Sequence, residues 1–356
     1  MRDATAGRRP ADQPSCGTVY APAVGALGIL GTGSYLPEQV VGNETVAERA
    51  GVSAEWIERK TGIVERRYAA EHEAASDLAA EAAARALADA GAGPDDVAWI
   101  VVATSTPDQP QPATAAFVQH RLGARRAAAF DVNAVCAGFV AALHTGTRLL
   151  AAPEADGGRR LALVVGAEVY SRILDRGDRR TAPLFGDGAG AVVVGPVREG
   201  RGFVGTGMRT DGHLHDLIGV TAGGSRAPAS EKTLAQGDHY FRMQGRAVRQ
   251  FVERELPAAV AGTLAAFGVA GRDVAHFVPH QANGEMLRSV AGRLGLGTAR
   301  THLPVDRHGN TGAASIPLAL DHARRGPDAP ADDELVLLAG FGGGMTVGTT
   351  LLRWGR

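Results

Sequence analysis

Short apolar runs alternate with longer Ala-rich stretches along most of this chain. The runs AWIVVAT (98–104), AAAFDV (127–132), LALVVGAE (161–168), AVVVG (191–195), HFVPH (276–280) and LVLLAGF (335–341) read as strands. Between them, apolar positions recur at helical spacing over 76–90, after Cys136, and over 242–266, 284–294 and 313–324. Strands alternating with helices predict an α/β fold.

The pattern repeats. DDVAWIVVATSTPD has a partner in GRDVAHFVPHQANG, with Asp96 and Asp273 177 residues apart. AFDVNAVCAG has one in LPVDRHGNTGA, with Asp131 and Asp306 175 apart. FGDGAGAVVV has one in FGGGMTVGTT, with Phe185 and Phe341 156 apart. Three weak matches in one order point to two duplicated halves. The expected division is 1–24 as a disordered extension, 25–196 as one half and 197–356 as the other. In superposed halves Cys136 and Asn310 would hold related places, each after a strand and before a helix. His280 would end the counterpart of strand 98–104. Strand ends of α/β sheets are where sites assemble.

Composition narrows the function. With 37 Lys+Arg against 38 Asp+Glu, nothing points to nucleic acid or an anionic membrane. No apolar run has membrane-spanning length, and the first residues carry Arg without the apolar core of a secretory signal. Two cysteines, Cys16 and Cys136, make no disulfide framework and no zinc cluster, so a reducing, cytoplasmic setting is expected. Asp211, His213, His215 and Asp216 in TDGHLHD read as exposed loop residues; no metal site is expected.

Four segments carry candidate chemistry. Cys136 in AFDVNAVCAGFVAAL would open a helix, where the macrodipole and free N–H groups favour thiolate. Taken alone, such a cysteine is more commonly a small buried hydrophobe. His280 in VPHQANGEM ends a strand, and Asn310 in DRHGNTGAAS sits among glycines. Each alone is commonly structural. AGFGGGMTVG lacks the Lys-Ser/Thr of a phosphate loop but can offer backbone N–H groups to an oxyanion.

As a set, ILGTGSYLPEQVV, EWIERKTGI, FDVNAVCAGF, FGDGAGA, PHQAN, DRHGNTGAAS and GFGGG resemble a β-ketoacyl-(acyl carrier protein) synthase III, a thiolase-superfamily condensing enzyme. The resemblance spans about 28–354. It implies a thiolase-like fold, a five-layered αβαβα sandwich of duplicated halves, and a homodimer. It implies that Cys136 takes an acyl group from acyl-CoA and that His280 and Asn310 complete the triad. A malonyl thioester, on acyl carrier protein or on CoA, then loses carbon dioxide, and its enolate attacks the acyl group. The backbone N–H groups of Cys136 and Gly343 would form the oxyanion hole. The substrates are thioesters, with no separate cofactor. By the same resemblance, elongating synthases carry a second His where Asn310 stands, and thiolases a second Cys near the C-terminus. The rival enzyme reading is a same-fold acyltransferase that moves the acyl group to an alcohol or amine.

Departures from the family pattern mark specificity. Trp56 and Arg179 match CoA-binding positions, Lys60 replaces an Arg, and Val64 stands where an Arg is usual. Asn283 belongs to the same CoA-binding set. Glu285 reverses a charge that helps dock the acidic carrier protein, with Arg288 and Arg293 nearby. Gln111, Tyr170 and Phe185 are expected to line the acyl pocket, Gln111 from a loop that by the resemblance closes the pocket of the partner subunit. Gln111 and Tyr170 lead to the expectation of a primer other than simple acetyl.

Overall fold

The computed structural model describes residues 17–21, 26–151 and 161–356. The first part of the chain runs β1 (Thr18–Tyr20), β2 (Leu27–Tyr35), β3 (Gln39–Gly42), α1 (Asn43–Ala50), α2 (Ala54–Thr61), β4 (Glu65–Tyr68), α3 (Ala75–Ala90) and β5 (Val97–Ala103). It continues with α4 (Thr114–Leu122), β6 (Ala128–Val132), α5 (Gly138–Leu150), β7 (Leu161–Glu168) and β8 (Gly188–Pro196). Then come β9 (Gly202–Thr210), β10 (Ile218–Gly219), α6 (Glu231–Ala235), β11 (Arg242–Met243), α7 (Gly245–Ala266), β12 (Val274–Pro279) and α8 (Gly284–Ala291). The chain closes with β13 (Arg300–Thr301), α9 (Val305–His308), α10 (Ser315–Arg325), β14 (Leu335–Gly342) and β15 (Thr346–Arg353).

Two sheets carry the duplication. One has the order β2-β8-β7-β5-β6, the other β9-β15-β14-β12-β13 with β1 added at its β9 edge. Parallel and antiparallel pairings match strand for strand, and β5 and β12 each carry an irregularity two residues from their start. Except for β1, the strands of the two sheets separate between Pro196 and Gly202. The six strands expected from sequence all form, and Asp96 and Asp273 each close a short turn that feeds β5 and β12.

Three apolar cores define five layers. α3 and α4 pack on the outer face of the first sheet through Leu78, Ala82, Ala86 and Val118. α7 and α8 cover the second sheet through Phe251, Leu256, Val260 and Leu287. Between the sheets lie α5 and α10, with Phe139, Val140, Leu143, Ile316, Ala319 and Leu320 all but inaccessible. Strands buried on both faces read as unbroken apolar runs, which is why sequence alone located them. No helix of the described residues is long and apolar enough to cross a membrane.

Four expectations change. Part of the supposed disordered extension is ordered. Thr18–Tyr20 pair antiparallel with Met208, Gly207 and Thr206, Tyr20 packs on His144 at 4.7 Å, and Arg148 donates to the Ala21 carbonyl. Residues 1–16 and 22–24 lie outside the described residues. The helix expected over 242–266 starts at Gly245, because Arg242–Met243 pair with Ile218–Gly219. That expected over 284–294 ends at Ala291, and that over 313–324 is a single tight turn, Gly312–Ala314, followed by α10. The repeat register also moves. Cys136 follows Val135 at φ 46°, and Ala313 follows Gly312 at φ 53°. The structural counterpart of Cys136 is therefore Ala313, with Asn310 three residues earlier.

The central helices approach the strands through small residues. A Cβ on Gly166 of β7 would lie 2.4 Å from the Ala313 carbonyl oxygen, a backbone atom that cannot step aside. Gly166→Ala is expected to lower stability by roughly 1–3 kcal/mol, as overpacked cores do. A lowered denaturant midpoint, with activity reduced more than a surface Gly→Ala control, checks this.

Candidate active site

The site forms where β14 ends between the two central helices. Cys136 lies in a single tight turn, Val135–Ala137, ahead of α5 and is 7% exposed. The turn is strained: Val135 is β-branched yet sits in the left-handed region. β14 meets the cysteine with glycines. A Cβ on Gly342 would fall 2.6 Å from Cys136 Cβ and 3.0 Å from its sulfur.

His280 follows β12 and is buried; its N–H donates to the Ala339 carbonyl of β14 at 2.7 Å. Its ring stands edge-on to Phe341, 5.1 Å between centroids. Nδ1 bonds Ser315 Oγ at 2.6 Å, and that hydroxyl also contacts the Gly312 carbonyl at 2.9 Å. The same turn carries Asn310, whose Oδ1 accepts from the Gly312 N–H at 2.9 Å. That bond fixes the amide, so Nδ2 is the group left to donate into the site. Asn310 is held from the other side by Phe185: its N–H reaches the Leu184 carbonyl and its carbonyl accepts from Gly186. Cys136 meets Gly342 of β14, His280 bonds Ala339 of the same strand, and Ser315 and Gly312 link His280 to the turn of Asn310.

Burial decides the charges. It pushes the Cys136 thiol up to about 12, and the nearby Glu168 carboxylate adds to the shift. The Tyr170 hydroxyl and the backbone N–H groups of Cys136 and Gly343 favour thiolate, but by less. The expectation of a raised thiolate fraction in the resting enzyme is therefore corrected. Desolvation in a closed site outweighs a helix start. Burial also takes His280 down to about 3, so the ring is neutral. A neutral imidazole has one N–H. The Ser315 hydroxyl has one hydrogen to give, to the Gly312 carbonyl or to Nδ1; when it turns to Nδ1, Nε2 carries the ring hydrogen and serves as a donor.

Tyr170 and Phe185 lie together as expected, their rings 4.4 Å apart, and Phe241 closes the cluster at 5.5 and 4.8 Å. Gln111, expected to serve the pocket of a second copy, is exposed on the loop between β5 and α4. A separate cavity of about 430 Å³ runs from the surface to Asn310. Trp56, Lys60, Arg179 and Asn283 all line it, so the residues expected to contact CoA do share one cavity, with Arg180 and Arg249 beside them. Asn283 also builds the wall, capping α8 through Met286 N–H and donating to the Lys60 carbonyl. Beside the cavity, Glu285 pairs with Arg288 at 2.5 Å in a groove that also holds Glu55, Glu58, Arg59, Val64 and Asp306. Among the described residues no group of three His, Cys, Asp or Glu is placed to hold a metal.

Sequence reasoning missed Ser105, Glu168, Phe241 and Ser315. Ser315 and Glu168 had a readable signal, each a polar residue ending a quoted motif or apolar strand. Phe241 had none, because it arrives from a distant hairpin.

A cysteine on a strained turn against the end of β14, a histidine bonded to that same strand, and a cationic-mouthed cavity that reaches Asn310 fit a thiolase-fold condensing enzyme. Comparison with known proteins agrees. The family described as 3-oxoacyl-(acyl-carrier-protein) synthase III matches residues 130–212, and its C-terminal region matches 264–354. An acetoacetyl CoA synthase of Streptomyces sp. (strain CL190) is 53% identical over 92% of this chain and 98% of its own length. A β-ketoacyl-(acyl-carrier-protein) synthase III of Symbiobacterium thermophilum is 43% identical over 93% of this chain and 98% of its own. The solved synthase III of Pseudomonas aeruginosa superposes with a TM-score of 0.83 at 40% identity, covering 93% and 99% of the two chains. A priming β-ketosynthase of a polyketide biosynthetic pathway gives 0.83 at 31% identity, covering 94% and 98%. This chain belongs to the β-ketoacyl-(acyl carrier protein) synthase III family, and it is a condensing acyltransferase of that kind.

Because His280 titrates near 3, it stays neutral from pH 5 to 8, and protonation sets in only below that window. Carbon dioxide release from malonyl-CoA is expected to show no histidine inflection between pH 5 and 8. Ser315→Ala, which frees Nδ1, is expected to slow that release roughly tenfold or more, within the range of a lost acid–base contribution.

Proposed function

We propose that this enzyme loads a short acyl group from CoA onto Cys136 and condenses it with malonyl-CoA, giving a β-ketoacyl-CoA. The observation that carries this reading is the single cavity that joins a cationic, Trp-bearing mouth to Asn310. Lys60, Arg179, Arg180 and Arg249 suit the phosphates of CoA, and Trp56 suits its adenine.

The chemistry follows from the groups present. The Cys136 sulfur attacks the thioester carbon, and the oxyanion is held by the N–H groups of Cys136 and Gly343. CoA leaves. The malonyl thioester then enters, with its carbonyl oxygen between His280 Nε2 and Asn310 Nδ2. Loss of carbon dioxide turns that oxygen into an enolate, and both donors stabilise it. The enolate carbon attacks the acyl carbon, and the Cys136 sulfur is expelled. Neutral donors suit this step because they hold the developing charge without binding the incoming carboxylate as an ion pair.

Two observations refine the substrates. The rings of Tyr170, Phe185 and Phe241 pack on one another at 4.4–5.5 Å, which supports an acetyl-sized primer in place of the larger one expected. The relative named acetoacetyl CoA synthase is consistent with that size and with CoA as carrier. Glu285 occupies Arg288, and four carboxylates face two guanidinium groups in the groove beside the mouth. An acidic carrier protein would meet like charge there. A homodimer fits as well: among the described residues β6 pairs with one strand only, is half-exposed and mostly apolar, and lies one short loop from Cys136. The Gln111 loop is tied to β6 through Asp131, so Gln111 would reach a second copy's pocket.

Intact-protein mass spectrometry with a panel of acyl-CoAs is expected to show acetyl and propionyl adducts, absent in Cys136→Ala. Longer primers should load at least tenfold more slowly, and Tyr170→Leu should narrow that gap. For the extender, malonyl-CoA is expected to outperform malonyl-carrier protein. Glu285→Arg should raise use of the carrier about five- to tenfold, the effect of a rim charge of roughly 1 kcal/mol. Equal use of both carriers by the parent enzyme would count against the CoA assignment.

A further inference from the structure

Glu168 is a buried carboxylate that the mechanism above leaves unused. It ends β7, is fully inaccessible and has no cationic partner among the described residues. Ser105 meets it twice, through its N–H and through its hydroxyl at 2.8 Å, and Thr106 donates at 2.5 Å. Ser105 Oγ in turn lies 3.0 Å from the Tyr170 hydroxyl, and Tyr170 stands next to Cys136, where its hydroxyl favours the thiolate. A continuous line of exchangeable protons thus runs from the nucleophile to a carboxylate. Gly312 seals this line, since a Cβ there would fall 2.6 Å from the Tyr170 ring and 2.9 Å from Glu168 Cγ.

The geometry points to Glu168 as the store for the Cys136 proton, reached through Tyr170 and Ser105. The inference rests on Cys136 being the acylated residue. His280 is ill-suited to that task. Decarboxylation needs hydrogen on Nε2, and a ring already holding that hydrogen cannot accept another there without becoming charged in a site that disfavours charge. As the sulfur–carbon bond forms, the S–H bond breaks and its proton goes to Tyr170 oxygen. The Tyr170 proton moves to Ser105, and the Ser105 proton to Glu168. When CoA is expelled as a thiolate, the same steps run backwards and the proton leaves on CoA. Each loading event is proton-neutral. Condensation takes up one proton from solvent, because the malonyl carboxylate departs as carbon dioxide and the Cys136 thiolate must be reprotonated.

Burial pushes the Glu168 carboxyl up to about 7, suited to accepting and returning a proton near neutrality. The groups that face it are Ser105 and Thr106 after β5, Gly312 and Ala313 before α10, and Tyr170 with Cys136 behind it. Of these only Tyr170 and Cys136 titrate, and burial keeps both protonated at neutral pH. Glu168 touches no substrate; it is a positioning residue for the proton.

Rapid-quench mass spectrometry of Cys136 acetylation by acetyl-CoA, from pH 5.5 to 8.5, tests the proposal. In the parent enzyme the rate should rise with pH and level off above about pH 7, as Glu168 becomes ionised. Glu168→Gln should acetylate roughly 100-fold more slowly at pH 8 and lose the levelling, as expected for a removed acid–base group. Ser105→Ala should do the same with Glu168 intact. Carbon dioxide release from malonyl-CoA needs no thiol proton and should change less than about twofold in Glu168→Gln. Acetylation with an unaltered pH profile in Glu168→Gln would overturn the proposal, as would an equal fall in both half-reactions, the mark of a purely structural residue. If the parent enzyme forms an adduct elsewhere than Cys136, the nucleophile assignment fails first.

Discussion

The burial of α5 and α10 between two sheets is the constraint on which the rest of this molecule depends. A helix fits between sheets only where side chains are small, and here they are: Ala137, Gly138, Ala313 and Ala314 stand at the helix starts, against Gly166 and Gly340. The close fit sets Cys136 against Gly342 at the end of β14 and packs the turn ahead of α5 on the turn ahead of α10, where Gly138 meets Ala313. It also removes water, and the absence of water sets every protonation state in the site.

Those states form a consistent whole. Thiol, imidazole and phenol are all neutral at rest, because none is given a counter-ion to hold it otherwise. Negative charge arrives with the substrate or develops during reaction, and N–H and O–H groups are already aimed at it. Preorganised donors of this kind act most strongly where solvent does not compete. The carboxylate of Glu168 is the exception, and it too is surrounded by hydroxyl and N–H donors.

Much of this was legible in the sequence, for identifiable reasons. Doubly buried strands such as Leu161–Glu168 and Leu335–Gly342 announce themselves as apolar runs. β2 did not, because its glycines dilute the signal. Gly31 and Gly33 are there so that α3 can approach; a Cβ on either would lie about 2.4 Å or less from α3 backbone atoms. Cys136, His280 and Asn310 stood out as candidates because each sits in its own dense local motif. The hydrogen-bonded neighbours were not, since Ser105, Glu168 and Tyr170 meet only when β5 and β7 align. The charge on Cys136 was misjudged for the same reason: a helix start is local information, whereas desolvation is a property of the assembled sandwich.

The cavity that ends at Asn310 also fixes the order of events in time. In the proposed reaction primer and extender both carry a bulky CoA tail, and both must present a thioester at the same inner end. Two such tails cannot lie in one passage of about 430 Å³. Free CoA must therefore depart before the second thioester arrives, and the acylated cysteine is the memory that carries the first substrate across the gap. The enzyme works as a turnstile, and substrate concentrations set which thioester occupies it at each stage.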